Sequence, residues 1–324
     1  MKLLSLLLPF MVGFCSAAAQ RFDPHDPRSP LRLVRSIELP NVSGRIDHMA
    51  LDPKGNHLFV AEYGNGSVDE VDLASGTLVG RINGLREPQG VAWLPLQQEI
   101  AVASGDGLLS FYRGSDRKLT AVIRLGDDAD NVRVDARNGD LVVGYGSGAL
   151  AVIDPATHRV ARHLPLPGHP EAFELLGSRV FVNVPDAHEI VIGDVDQGRV
   201  TGTLNTGTRS GNYPMAADAS GSRIAVAYRF PRTLLVMDAR SGAAIFSVGI
   251  CGDADDLYVR DKKLLVVCGS GVIELVNNGD AHGKVAVTTE RGARTGLLSF
   301  AGKTLFVAVP AGETSAAIWE LSFR

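Results

Sequence analysis

Carboxylates, histidines and arginines recur along this chain in short segments roughly 40 residues apart. The residues in these segments that could bind a ligand or do chemistry are Asp47, His48, Arg86, Asp128, Asp130, Asn131, His169, Glu171, Asn212, Tyr213, Arg229, Asp255, Asp256 and Arg294. Carboxylates that lie close together repel each other unless a cation or an arginine neutralises them, or unless some of them hold a proton. The pattern therefore predicts a charged site that holds an ion or a polar ligand.

A metal ion is one way to neutralise these acids. Calcium takes about six to eight oxygen ligands, and Asp130, Glu171 and Asp255 could supply part of such a set. A histidine beside an acid, as at His48, would instead suit zinc, although the chain has no His-x-x-x-His or Cys-x-x-Cys spacing. Arginines could balance the acids without an ion. Two cofactor predictions therefore stay open: none, or a divalent cation such as calcium or zinc.

Each of these residues also has an ordinary structural explanation. Asp and Asn cap irregular loops through Asx turns, which would account for Asp128, Asp130 and Asn131. A loop histidine is more often hydrogen-bonded to its neighbours than bound to a ligand, and Tyr213-Pro214 would suit a rigid turn. A functional site is favoured because polar, charged and aromatic residues are concentrated in one set of loops.

A repeated apolar motif reveals the elements that position these loops. It starts at Leu58, Ile100, Leu141, Val180, Ile224, Leu264 and Leu305, so successive copies are 42, 41, 39, 44, 40 and 41 residues apart. Repeats of about 40–45 residues made of short strands are typical of propeller blades, and four strands fit that length. The sequence predicts an all-β fold, a seven-bladed β-propeller with four-stranded blades.

The loops of such a fold emerge on two opposite faces. On one face the predicted turns are stereotyped, as in Asp52-Pro-Lys-Gly55 and Ala74-Ser-Gly76, and turn chemistry alone explains them. The loops on the other face lead into the innermost strands and carry the charged residues. We therefore expect those side chains to converge on the mouth of the central channel, since loops on a rigid scaffold commonly carry function.

The two ends of the predicted domain should meet. The chain ends after the third strand of the seventh repeat, whereas Leu31 to Leu39 has the character of an outer strand and precedes the first repeat. We predict that this N-terminal strand completes blade seven, which would remove free sheet edges. Residues 31–324 would then form one domain, and residues 20–30, with three prolines, would be a poorly ordered leader.

The first residues predict export. Lys2 is followed by an apolar run over Leu3 to Phe14 and by the small residues Ala17 to Ala19, as in a secretory signal peptide. Cleavage after Ala19 would make residues 1–19 the signal peptide and place the mature protein in the periplasm or outside the cell. No later stretch is long and apolar enough to span a bilayer, so no membrane insertion is expected.

The charge balance excludes some partners. The chain has 32 basic and 36 acidic residues, and cleavage would remove one lysine, so the mature net charge would be 31 − 36 = −5. A mildly acidic protein has no generic attraction to nucleic acid or anionic lipid. We expect a monomer whose partner is a small molecule, an ion or a peptide, and not a nucleic acid.

Cleavage would leave two of the three cysteines, Cys251 and Cys268, which flank the first predicted hairpin of blade six. An even number of cysteines in an oxidising compartment favours a disulfide. Two free thiols, with Cys268 packed inside the blade, are the alternative.

The repeat motif resembles that of a known family. Asp52-Pro-Lys-Gly followed by Leu58-Phe-Val-Ala61, and then by Val71-Asp-Leu-Ala-Ser-Gly76, is similar to the YVTN-type propellers, the YncE-like family of exported bacterial proteins. The resemblance spans about residues 31–324 and implies a binding scaffold. A WD40 propeller is the alternative, but the chain contains no Trp-Asp dipeptide.

Two functions follow from these observations. The first is an exported propeller that binds a small polar ligand, a peptide or an ion at its channel mouth without turnover. The second is a metal-assisted lactonase or related hydrolase, in which Asn131, Glu171, Asn212 and Asp255 would hold the metal and His48 or His169 would act as general base. A platform for protein interaction is less attractive because only 6% of the residues are aromatic.

Overall fold

Seven sheets of antiparallel strands form the blades of a β-propeller in the computed structural model, which describes residues 19–218, 220–279 and 283–324. Two strands precede the first repeat, β1 (Gln20–Phe22) and β2 (Leu31–Glu38). Blades one to three contain β3 (Met49–Leu51), β4 (His57–Glu62), β5 (Ser67–Asp72), β6 (Thr77–Asn83), β7 (Pro88–Leu94), β8 (Glu99–Ser104), β9 (Leu108–Arg113), β10 (Leu119–Arg124), β11 (Ala129–Val134), β12 (Leu141–Tyr145), β13 (Ala149–Asp154) and β14 (Arg159–Pro165).

Blades four to seven continue the same order, with one short 3₁₀ helix at Pro185–Ala187. Their strands are β15 (Phe173–Leu176), β16 (Arg179–Val184), β17 (Glu189–Asp194), β18 (Arg199–Asn205), β19 (Ser210–Ala217), β20 (Arg223–Phe230), β21 (Arg232–Asp238), β22 (Ala244–Gly249), β23 (Ala254–Arg260), β24 (Lys263–Cys268), β25 (Val272–Asn277), β26 (Val285–Thr288), β27 (Thr295–Leu298), β28 (Thr304–Val309) and β29 (Ala317–Phe323). The predicted all-β, seven-bladed fold is confirmed.

Local turn chemistry sets the strand order within a blade. In blade one, the carboxylate of Asp52 accepts hydrogen bonds from the backbone N–H groups of Asn56 (2.5 Å) and His57 (2.8 Å). Gly55 completes this turn with φ +68°, and Gly76 does the same between β5 and β6 with φ +69°, a conformation that glycine adopts without steric cost. The Asp52-Pro-Lys-Gly55 sequence is therefore explained by the fold.

The apolar core lies between the blades. The buried apolar side chains of the described chain form seven clusters, one at each contact between neighbouring blades. Each second strand contributes from both of its faces, as where Val60 packs towards blade seven and Phe59 packs towards blade two. Such a strand is covered on both sides, which is why its sequence is almost continuously apolar.

The N-terminal strand closes the ring as predicted. Strand β2 pairs antiparallel with β29, with Leu31 opposite Phe323 and Ile37 opposite Ile318. It thereby becomes the outermost strand of blade seven. The side chains of Arg35 and Glu320 add an ion pair of 2.7 Å across the same two strands.

The structure differs from the expectation for residues 20–30. Strand β1 pairs in parallel with β26 and forms a fifth strand on blade six. The connection to β2 is held by a hydrogen bond from the Leu33 N–H to the Pro24 carbonyl (3.1 Å) and by the buried Ser29, whose hydroxyl donates to the Leu31 carbonyl (2.6 Å). An otherwise unpaired edge of β26 offers backbone groups that favour this pairing, whereas the prolines shape only the turn. Residues 1–18 of the predicted signal peptide lie outside the described residues.

The two cysteines form a disulfide between the loop that leads into β23 and the end of β24. The Cα atoms of Cys251 and Cys268 are 6.1 Å apart, and Cys268 is fully buried. The bridge thus ties one of the charged loops to a core strand. In the part of the chain that the structure describes, no helix is long and apolar enough to cross a membrane.

Removal of the closing strand should destabilise the whole ring. A chain that begins at Leu39 lacks β1 and β2, which leaves the outer edge of β29 unpaired and uncovers the cores beside blade seven. We expect its melting temperature to fall by about 10 °C or more relative to a chain that begins at Gln20. A chain that begins at Asp23 lacks only β1 and is the matched control, for which a fall of a few degrees is expected. Equal melting temperatures for the two truncated chains would contradict a closing role for β2.

Loss of the disulfide should lower stability without changing the fold. It closes a loop with a sequence separation of 17, for which the loss of chain entropy in the unfolded state corresponds to about 3 kcal/mol. We expect Cys251→Ser/Cys268→Ser to lose roughly that free energy of unfolding in a denaturant titration. Wild-type protein in reductant is the control and should match the variant. A reductant-insensitive wild-type protein would disprove the bridge.

Candidate ligand site in the central channel

The innermost strands of the blades surround a cavity of about 550 Å³. Its upper mouth, as we name it, is formed by Arg45, Asp47, His48, Asp130, Asn131, Glu171, Tyr213, Asp255 and Asp256. Its lower mouth is formed by Pro53, Pro95, Ala136 and Phe300. The two ends differ in chemistry, since the upper mouth is almost entirely polar or charged and the lower mouth is apolar.

Irregular backbone at the start of the innermost strands brings the polar residues into the cavity. The pairing register shifts at equivalent places in β7, β11, β19 and β23, where each strand leaves the upper mouth. In β11, β19 and β23 the shifts fall at Asp130-Asn131, Tyr213-Pro214 and Asp255, all of which line the cavity, whereas the shift in β7 falls at Gln89-Gly90, outside the lining. Bulges commonly redirect side chains beside functional sites. Similar shifts occur between the third and fourth strands of several blades, but only those of the innermost strands lie beside the cavity.

Arginines neutralise only part of the acidic mouth. Arg45 pairs with the buried Asp47 (2.5 Å). Arg229 pairs with Asp255 (2.5 Å) and its guanidinium lies 4.2 Å from the ring centroid of Tyr213. Arginine is well suited to such mixed contacts because its planar cation stacks on aromatic faces and binds carboxylates. Asp47 and Asp255 are therefore already engaged by cations.

His48 lies among three acids. Its Nε2 atom is 3.4 Å from Oδ1 of Asp130 and 4.0 Å from Oδ1 of Asp47. Burial by itself would lower the pKa of His48, but the interactions with Asp130, Asp47 and Asp256 outweigh it and raise that pKa to about 9. His48 therefore carries a positive charge at neutral pH and cannot accept a further proton there.

Glu171 is the acid of the upper mouth that lacks a partner. Among the described residues, no side chain forms a hydrogen bond or a close ion pair with its carboxyl group, although the residue is partly buried and lines the cavity. Burial, together with the charges of Asp130 and Asp255, raises the pKa of Glu171 to about 8 against the opposing charges of His48 and Arg229. A carboxyl group in this position favours either a proton or a cationic neighbour.

A second, deeper set of polar residues was not predicted. Arg133, Glu174 and Tyr258 line the channel below the upper mouth. Burial raises the pKa of Glu174 to about 7, against the opposing charge of Arg133, and the Tyr258 hydroxyl donates to the Gly296 carbonyl (2.7 Å). The sequence did contain a signal, since each of these residues is flanked by apolar ones in an innermost strand.

Eight of the fourteen predicted site residues line the cavity, namely Asp47, His48, Asp130, Asn131, Glu171, Tyr213, Asp255 and Asp256. Arg229 stands behind Asp255. Arg294 pairs instead with Asp253 (2.9 Å), and Arg86 is exposed outside the cavity.

The remaining three predicted residues lie outside the cavity lining and are held by neighbouring segments of the chain. Nδ1 of His169 lies 2.7 Å from the Gly146 carbonyl, and the exposed Asp128 accepts a hydrogen bond from Gln89 (2.9 Å). The amide of the fully buried Asn212 donates to Oδ1 of Asn183 (3.2 Å). Of the three, His169 matches the alternative stated for it, a hydrogen-bonded loop histidine.

The predicted metal ligands do not form a metal centre. Asp130, Glu171 and Asp255 line one cavity, but within residues 19–218, 220–279 and 283–324 no group of three or more His, Cys, Asp or Glu side chains is placed to hold a metal ion. Asp255 is engaged by Arg229, and Asn212 is turned away. The geometry therefore fits neither the calcium or zinc set nor the four-residue set predicted for a lactonase.

Glu171 should make stability depend on pH. Its ordinary pKa is 4.5 and its pKa in the folded protein is about 8, so the folded state binds its proton more tightly and loses stability as pH rises from about 4.5 to 8. We expect Glu171→Gln to raise the free energy of unfolding at pH 8.5 by about 1–2 kcal/mol, less than the full shift implies because the side chain is partly solvated. At pH 4 the gain should vanish.

Denaturant titrations at the two pH values measure this difference. Glu313→Gln, at an exposed position, is the matched control and should change stability equally at both. A gain from Glu171→Gln that is the same at pH 4 and pH 8.5 would contradict a buried, proton-binding carboxyl.

Comparisons with known proteins agree on the fold. No protein-family model matches the chain, and no curated protein matches it in sequence. A chain of hydrazine synthase from Kuenenia stuttgartiensis is similar in structure, with 16% identity, 86% of this chain and 96% of that chain covered, and a TM-score of 0.74. The WD40 repeats of RRP9 are also similar, with 10% identity, 90% and 97% coverage, and a TM-score of 0.77. At these identities the likeness shows that the chain has the β-propeller fold and nothing more specific.

Proposed function

We propose that this protein is a binding protein that holds a small polar ligand at the upper mouth of its central channel. The observation that carries the proposal is the unpaired carboxyl of Glu171 inside a cavity of about 550 Å³. Ligand sites commonly have a volume of about 300–1,000 Å³, with mostly apolar walls and a few convergent polar groups. An ionisable group with a strongly shifted pKa in such a cavity is a further sign of function.

The two histidines predicted as general bases for a lactonase are not suited to that role. A general base must be able to accept a proton near the working pH, whereas the acids around His48 keep it protonated. His169, the other predicted base, lies outside the cavity lining and contacts a backbone carbonyl. The arrangement thus supports recognition of a ligand better than metal-assisted attack on a lactone.

We also propose that the protein is exported and belongs with the YVTN-type propellers. The repeat motif and the seven-bladed fold support the family assignment. The N-terminal sequence pattern and the disulfide between Cys251 and Cys268 support a periplasmic or extracellular location, since disulfides persist in oxidising compartments.

A direct test uses Trp93, which lines the cavity and stacks on Phe59. The other tryptophan, Trp319, lies in β29, so Trp319→Phe leaves Trp93 as the single tryptophan reporter. This protein would be titrated with amino acids, short peptides, monosaccharides, carboxylates, alkylamines, CaCl₂ and ZnCl₂ while Trp93 emission and melting temperature are followed. We expect at least one of these classes of compound to change both the Trp93 emission and the melting temperature.

The binding should depend on the mouth carboxylates. Glu171→Gln/Asp255→Asn removes two of them at nearly constant volume, and the exposed pair Glu313→Gln/Asp261→Asn is the matched control. We expect the first double variant to lose at least about tenfold in affinity, the usual cost of a lost hydrogen bond to a charged group. If no class changes Trp93 emission, or if the control loses as much affinity, the channel is not the binding site.

A further inference from the structure

We infer that the ligand is an organic cation, an ammonium group on an apolar body, which places its charge beside Glu171 and its body in the channel below. This inference rests on the proposed function and names the class of ligand. It follows from three features of the cavity: the balance of charges, the kind of hydrogen-bonding atoms left free, and the composition of the walls.

The lining contains more acids than cations. The acids are Asp47, Asp130, Glu171, Glu174, Asp255 and Asp256, and the cationic side chains are Arg45, His48 and Arg133. Arg229 adds a fourth cation from behind Asp255. Even with all four cations counted, the acids outnumber the cations, and at the upper mouth Glu171 is the acid with no hydrogen-bond or ion-pair partner among the described residues.

The atoms left without partners are hydrogen-bond acceptors. The side-chain oxygen of Asn131 is buried and accepts no hydrogen bond, and Asn131 lines the cavity at 2% exposure. Its amide nitrogen is already used, as a donor to Asp130 (3.3 Å). The ionised carboxyl of Glu171 is also an acceptor only. The ligand must therefore supply donors, and an ammonium group supplies up to about three N–H donors and a positive charge.

The cation is organic and not a metal ion, for reasons of geometry and surroundings. The carboxylates nearest to Glu171 are engaged, Asp130 by His48 and Asp255 by Arg229, so they cannot supply the many oxygens that calcium needs. An ammonium group needs only a few acceptors and tolerates apolar neighbours on its carbon side.

The walls below the mouth suit an apolar body. Met49, Val91, Met215, Leu257 and Leu297 line this part of the channel. Methionine side chains adapt readily to the shape of a ligand. The deeper polar residues are occupied within the wall, as where Tyr258 donates to Gly296 and Arg133 donates to the Val132 carbonyl (3.0 Å). The cavity then ends at the apolar lower mouth.

The test compares probes that differ only in charge or length. Hexylammonium, hexanol and hexanoate share a six-carbon chain, and methylammonium keeps the charge without the chain. Each would be titrated into the Trp319→Phe protein at pH 7.5 with Trp93 emission as the readout. We expect hexylammonium to bind at least about tenfold more tightly than hexanol and hexanoate, with a gain of about three- to fourfold for each methylene from propyl to hexyl.

Two further measurements locate the charge. Glu171→Gln should weaken hexylammonium by about tenfold or more and leave hexanol unchanged, whereas Glu313→Gln should change neither. Because the cation favours the ionised form of Glu171, binding below pH 8 should release protons, and calorimetry in buffers of different ionisation enthalpy measures that release. Glu171→Gln should reduce it. Circular dichroism checks that the variants are folded.

The outcomes separate this inference from the proposed function. Hexanoate or hexanol binding as tightly as hexylammonium would overturn the cationic ligand, and methylammonium binding as tightly as hexylammonium would overturn the apolar body. No response of Trp93 to any of the four probes also overturns the inference. If amino acids, peptides or sugars still bind in the channel, the proposed function survives; if nothing does, both fail.

Discussion

Apolar packing between neighbouring blades is the interaction on which the rest of this structure depends. Seven buried clusters join the blades in a ring, and the last gap is closed when β2 pairs with β29. A closed ring forces the seven innermost strands towards one axis. The loops that lead into these strands must then lie close together, whatever side chains they carry. The crowded upper mouth is a consequence of closure, and its chemistry depends on the residues in those loops.

The acids at this mouth are only partly compensated. Arg45 and Arg229 each hold one carboxylate, and His48 is charged because Asp130 and Asp47 lie beside it. Glu171 has no such neighbour, and burial of an unpaired carboxyl costs free energy. In natural proteins, residues that are unfavourable in their local surroundings are found mainly at functional sites. An arrangement that satisfies most of the acids and leaves one free is therefore better explained by a ligand than by folding.

The sequence predicted the fold because the repeat recurs seven times and each turn motif has a local cause, as at Asp52 and Gly55. It predicted the closing strand because the last repeat lacks one. It missed β1, since the edge of β26 is created by tertiary structure and not by residues 20–22 themselves. At the site it identified the correct face, but which side chains enter the cavity depends on the register shifts at Asp130, Tyr213 and Asp255. Loop position alone could not show that Glu171 lines the cavity and that His169, two residues earlier, does not.

Small side chains along its axis help to keep the channel open. Ala50, Ala92 and Ala172 line the cavity on three of its sides, and larger side chains at these positions would fill it, as the interior positions of small barrels are filled. Gly296 also lines the cavity, but an added Cβ there would approach the side chain of Val267 to 2.9 Å, so packing between blades requires this glycine. Ala50, Ala92 and Ala172 also pack against the apolar clusters between blades, so their small size serves the packing as well as the cavity. Space in the channel therefore depends on the residues along its axis, and it lies below Glu171, the acid of the upper mouth that lacks a partner.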